Sequence, residues 1–160
     1  MTTYVRNGWT IWRGLAMASA MALLSTTAIA GGCPADKMGT DVTKPGATAN
    51  KDATDAVLES IDLSKEKVGL ADHQFRLRRL EIKPGGEIAW HSHADRPALI
   101  YIVRGEMTEY ASNCSVPIVH KAGDVAKETS ETSHWWKNTG NKNAVLLSAD
   151  ILHDATDKSM

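Results

Sequence analysis

The sequence predicts an all-β fold, a sandwich or barrel of short strands. Three observations predict it. From His73 onward apolar and polar residues alternate with a period of two. Glycine turns recur at regular spacing between these runs. No long stretch keeps a helical period.

The elements follow in order. Residues 1–30 hold Arg6 and Arg13 but no Lys, Asp or Glu, then the apolar run Leu15 to Leu24, then Ala28-Ile29-Ala30. This is the layout of a secretory signal peptide, and the apolar part is short for a membrane span of roughly 20 residues. Its removal leaves 130 of 160 residues, and losing two arginines moves the net charge from −1 to −3. A chain of that size suits one domain. It is too short for a TIM barrel or a two-domain nucleotide-binding enzyme. The mildly acidic balance, with no basic block, argues against nucleic acid as a partner. No further long apolar run follows, so no membrane span is expected, and the chain is expected to be exported to a periplasmic or extracellular space.

Residues 31–70 read as an N-terminal arm and lead-in. The first part is rich in Gly, Thr, Pro and Asp, as loops are. Ala53 to Leu63 fits either a short helix or an edge strand. The barrel is expected over 71–155. His73 to Arg78 alternates, and the phase slips at Arg78-Arg79 before Leu80 and Ile82, which suggests a bulge. Pro84-Gly85-Gly86 reads as a turn and Glu87 to His93 as a strand. Ala98 to Val103 is an unbroken apolar run, so both its faces should be covered, one by the barrel interior and one by a second sheet or subunit. A homodimer is expected on that ground, with Tyr101 on the outer face. Arg104-Gly105, Ala122-Gly123-Asp124 and Asn138 to Asn141 are turns, and Ala144 to Ile151 is the last strand.

Two cysteines remain after the leader, Cys33 and Cys114. An exported chain permits a disulfide between them. The alternative is lipid anchoring at Cys33, since Ala30-Gly31-Gly32-Cys33 has the small residues of a lipobox without its Leu. Cys114 would then be an unpaired thiol.

Of six histidines, His73 and His153 read as structural. His91 and His93 stand two apart in a strand, so both imidazoles leave one face and can share a metal ion. His134 shares a strand face with Trp136 and Asn138, and joins them if that face lines the interior. Trp136 is then a pocket wall, while Trp90 and Trp135 point away. Glu131 is the nearest candidate general base. Arg76, Arg78, Arg79, Arg96 and Arg104 suit a carboxylate substrate or a solvated strand face.

These residues carry a resemblance. Gly85, His91, His93 and Gly105 match G-x5-H-x-H-x3–4-E-x6-G, and Gly123, His134 and Asn138 match G-x5-P-x-G-x2-H-x3-N. The stretch resembles a small single-domain cupin. The resemblance implies a cupin-type double-stranded β-helix, a jelly-roll barrel, with metal ligands His91, His93 and His134. The motif glutamate falls on Ala98, or on Pro97 with the other spacing, and Thr129 and Glu131 replace the second motif's Pro and Gly. A three-His site is therefore implied, with Ala98, Trp136 and Asn138 around the substrate pocket, and Asp95 or Glu131 as the available carboxylates. Three neutral imidazoles suit Fe, Zn, Cu or Ni and leave the cation's charge for an anionic or chelating small molecule. The expected function is a metal enzyme, dioxygenase-like by family analogy. The alternatives are a non-catalytic metal or small-ligand binding or sensing protein, and a barrel with a vestigial cluster.

Overall fold

The computed structural model describes Met1 and residues 32–153; the expected leader lies outside the described residues. Eight antiparallel strands form one sheet that curls into a nearly closed barrel. They are β1 (Lys51–Asp62), β2 (His73–Ser92), β3 (Ala98–Arg104), β4 (Glu106–Ala111), β5 (Ile118–Lys121), β6 (Val125–Glu128), β7 (Ser133–Lys137) and β8 (Ala144–His153). The order is β5-β4-β7-β2-β8-β3-β6, with β1 added along β2. The free ends of this path, β5 and β6, leave a seam.

The 20-residue β2 organises the barrel. Its first half pairs β1 and β8, and its last residues pair β7. Lys83-Pro84-Gly85-Gly86, read from sequence as a turn, is a bend inside this one strand. Gly85 takes φ 74°, and a Cβ on Gly86 would stand 2.9 Å from the Asp52 carbonyl oxygen. Gly105, with φ 80°, turns β3 into β4 at a place where a Cβ would meet the Ala144 Cα at 2.9 Å.

The expected bulge at Arg78-Arg79 is corrected by the register. β2 pairs β8 without interruption from His73↔His153 to Ile82↔Ala144. Arg76, Arg78, Leu80 and Ile82 all face inward, and Phe75 and Leu77 face out. The apparent slip arose because two inward positions are arginines. Asp150 meets both, at 2.8 Å from Arg76 and 3.2 Å from Arg78, and Asp55 of β1 takes the other end of Arg78. A register shift does occur opposite, in β1 between Val57 and Glu59.

The core is Leu80, Ile82, Ile88, Ile100, Ile102, Met107, Trp136 and Leu146 with small alanines between them. Ala98 to Val103 divides by parity: Ile100 and Ile102 are buried, while Leu99, Tyr101 and Val103 are exposed.

The segment read as an arm is docked. Cys33 and Cys114 are joined in a disulfide. Gly39 and Val42 donate backbone hydrogen bonds to the carbonyls of Asn113 and Ser112, and Thr43 Oγ1 donates to the Cys114 carbonyl. Gly46 lies against the Trp135 indole. Ala53 to Leu63, ambiguous between helix and edge strand, falls largely in β1.

Candidate metal centre

Three histidines reach one point from two adjacent strands and the loop that follows one of them. His91 and His134 are direct partners across β2 and β7. The ladder shifts between Ile88 and His91, which frees the backbone N–H groups of Ala89 and Trp90. The arm takes them: Ala47 O accepts from Trp90 at 2.8 Å and Asn50 Oδ1 from Ala89 at 2.7 Å. His93 follows the end of β2 and is held by its N–H to Thr132 O at 2.9 Å.

The three Nε2 atoms stand 3.0, 3.0 and 3.2 Å apart. Each Nδ1 faces an acceptor on the other side of its ring. His91 Nδ1 donates to Ala89 O at 2.8 Å, His93 Nδ1 to Arg96 O at 2.7 Å, and His134 Nδ1 to Glu109 Oε1 at 2.8 Å. Trp136 Nε1 also lies 3.0 Å from His134 Nδ1, but the ionised Glu109 can only accept, so Nδ1 keeps its proton. With the Nδ1 protons so placed, three Nε2 lone pairs converge on one another. Neutral imidazoles so arranged repel unless a cation stands between them.

Burial first, and then the nearness of the His134 ring, hold His91 down to about 2 and His93 down to about 3, so both are neutral and ready to donate a lone pair. Three mutually perpendicular bonds of about 2.1 Å end about 3 Å apart, so the observed separations suit a single Fe, Zn, Cu or Ni ion.

Behind His134 lies a carboxylate network that sequence reading missed. Glu109 bonds His134 with one oxygen and His120 with the other, both at 2.8 Å. Burial pushes the Glu109 carboxyl up, but the hydrogen bonds from His120 and His134 outweigh it and hold it down at about 2. Glu128 Oε2 lies 3.4 Å from His134 Nδ1, and burial together with the Glu109 charge pushes Glu128 up to about 9. Glu128 is the direct cross-strand partner of Ala98, the position where the motif glutamate is absent. A signal was present: Glu109, His120 and Glu128 each follow a buried Met107, Ile118 or Ala126 by two residues, and so share its face.

The other expected site residues separate. Trp136 is buried, lines the same cavity of about 20 Å³ as the three histidines, and meets His134 edge-on with ring centroids 5.6 Å apart. Trp135 stacks outside on Tyr110 at 4.1 Å. Ala98 is buried in the adjoining core. Asn138 pins a turn, donating to Ile82 O and Lys142 O and accepting from Gly140 N. Glu131 is exposed and lines a separate cavity of about 370 Å³ at the seam, with Glu109, Glu128 and Cys33. The structure does not bring Glu131 to the three-His cavity.

Comparison with known proteins places this arrangement. The family described as "Cupin domain" matches residues 78–150. An oxalate-binding protein of Thermotoga maritima is 36% identical over 90 residues, covering 56% of this chain and 71% of its own. A Thermotoga maritima crystal structure described as a predicted oxalate decarboxylase aligns with a TM-score of 0.51 at 23% identity, over 72% of this chain and 97% of that one. A conserved double-stranded β-helix protein of Klebsiella pneumoniae aligns with a TM-score of 0.52 at 20% identity, over 71% and 86%. These structural likenesses speak for the fold.

Proposed function

Because the chain belongs to the cupin family, we propose that it holds one divalent transition-metal ion on His91, His93 and His134, and on that ion a small chelating carboxylate of the oxalate kind. The observation that carries this reading is the convergence of three Nε2 atoms within 3.2 Å while each Nδ1 faces its own acceptor. The name of the oxalate-binding relative supports the ligand class.

A bound ion would supply positive charge and open positions for anionic oxygens. The chain's own part is orientation and exclusion. Ala89 O, Arg96 O and Glu109 fix the three rings. The Glu109 carboxylate makes His134 a stronger donor. Trp136, Ile88 and Ile100 keep the cavity apolar. With no carboxylate at position 98, a bound ion would keep more of its charge for the ligand.

Metal analysis of untagged protein, with calorimetric titration of oxalate, tests the reading. The wild type is expected to hold close to one equivalent of metal and to bind oxalate only when loaded. His134→Ala is expected to lose the metal while its far-ultraviolet circular dichroism stays that of the wild type. A wild type that binds added metal no tighter than His91→Ala overturns it.

A second reading, a dioxygenase-like oxidoreductase, is favoured by the same carboxylate-free ligand set. Oxygen uptake by Fe(II)-loaded protein with thiols, diketones or phenols would favour that reading, and no uptake leaves a binding protein. The reading also takes the protein as exported and disulfide-bonded; the leader pattern and the Cys33–Cys114 bridge support this. No helix among the described residues is long and apolar enough to cross a membrane. The partner expected at the outer sheet face is a second copy, since Phe75, Leu77, Leu99, Tyr101 and Val103 stand exposed there.

A further inference from the structure

The three-His cavity is walled mostly by apolar side chains, among them Leu80, Ile88, Ile100 and Leu146. Apart from the histidines and the Trp136 indole, its polar lining is Arg78 and Ser148. These two are direct partners across β2 and β8, and both are more than nine-tenths buried. Arg78 gives Nη1 to Asp55 and Nη2 to Asp150. Among the described residues its Nε–H has no hydrogen-bond partner, and neither has the Ser148 hydroxyl. Two unpartnered donors, side by side on one wall of a cavity, are groups awaiting an acceptor.

We propose that Arg78 Nε and Ser148 Oγ receive the far oxygens of a two-carbon dicarboxylate whose near oxygens lie on the metal ion; the inference rests on the metal-and-carboxylate reading above. The ion pairs to Asp55 and Asp150 hold the guanidinium in place and balance its charge. Arg78 therefore recognises by directed hydrogen bonds, and the hydroxyl adds a second. The three imidazoles and this wall line the same small cavity, about 20 Å³, which favours the shortest dicarboxylate. A monocarboxylate has no far oxygens to present and gains nothing from this wall.

Calorimetric titration of oxalate, malonate and acetate into the Ni(II)-loaded full chain tests it, beside Ser148→Ala and Arg78→Lys. Ser148→Ala is expected to keep its nickel and to bind oxalate about five- to twentyfold more weakly, with acetate changed less than twofold. Arg78→Lys, which keeps the charge and loses the Nε–H, is expected to do the same, and the wild type should prefer oxalate to malonate. Oxalate affinity within twofold of wild type in both variants overturns the inference, as does an equal loss for acetate. A wild type that holds nickel but binds no dicarboxylate ends this inference and leaves the metal site standing. A wild type that holds no nickel ends both.

Discussion

His134 works with both nitrogens, and the chemistry of the site depends on that. One nitrogen meets His91 and His93; the other gives its proton to Glu109. Glu109→Gln should keep the barrel and weaken metal affinity about 10- to 100-fold, read by competition with a chromogenic chelator. The same groups set the pH response of the metal-free protein. His91 and His93 resist protonation down to about 2 and 3, whereas unfolded imidazoles take protons near 6.5, so the unfolded state binds more protons in that interval and acid destabilises. Glu128 acts in the opposite sense. Its folded carboxyl keeps a proton up to about 9, against 4.5 unfolded, so that contribution is lost as pH rises. Two histidines outweigh one glutamate below about 6.5, and above it only the glutamate acts. Urea unfolding of chelated protein should therefore show maximal stability near pH 6.5, and Glu128→Gln should flatten the alkaline side; a monotonic profile would contradict this. At this scale the triad was legible, because H-x-H in a strand and a third histidine at motif spacing need only parity and a count. Glu109 and Glu128 were not, because a lone glutamate in a strand reads as solvent-facing until its neighbours are known to be core.

Strands and turns were largely legible because alternation and glycine punctuation are local. The errors were at places where a long-range partner overrides the local pattern. Arg76 and Arg78 broke the apolar rhythm of β2 and suggested a bulge, yet they face inward because Asp150, 72 residues beyond Arg78, and Asp55 neutralise them. No local rule foretells a partner so far along the chain. Asp150→Asn leaves two buried guanidinium groups undercompensated and should cost about 3–5 kcal/mol in urea unfolding at neutral pH. A cost under about 1 kcal/mol would mean that Asp55 alone suffices. The docked arm is a similar case: its Gly- and Thr-rich composition reads as a loop, but Cys114 and the Trp135 face give it a fixed course.

For the whole molecule, the two sides of the sheet contrast. The interior holds the packed core and the three-His cavity, whereas the outer face carries a broad apolar stripe from Phe75 and Leu77 on β2 to Leu99, Tyr101 and Val103 on β3. Sedimentation equilibrium at micromolar concentration should give a dimer mass, and Leu99→Lys with Tyr101→Lys should give a monomer that retains its metal. A wild type that sediments as a monomer would leave the stripe without a second copy. A second copy was suggested in sequence by one strand that is apolar on both faces; the extent of the stripe was not, because β8, from the far end of the chain, lies between β2 and β3 and joins their outer faces only in the fold.

The added strand β1 bears on solubility. Among the described residues it pairs only with β2, so its other edge offers unpaired backbone to any strand that approaches. That edge belongs to a segment with Asp52, Asp55, Glu59 and Asp62 against the single Lys51. Two copies approaching edge to edge would bring like charges together, and the shift between Val57 and Glu59 would spoil a straight ladder. The strand is thus guarded against growth into filaments.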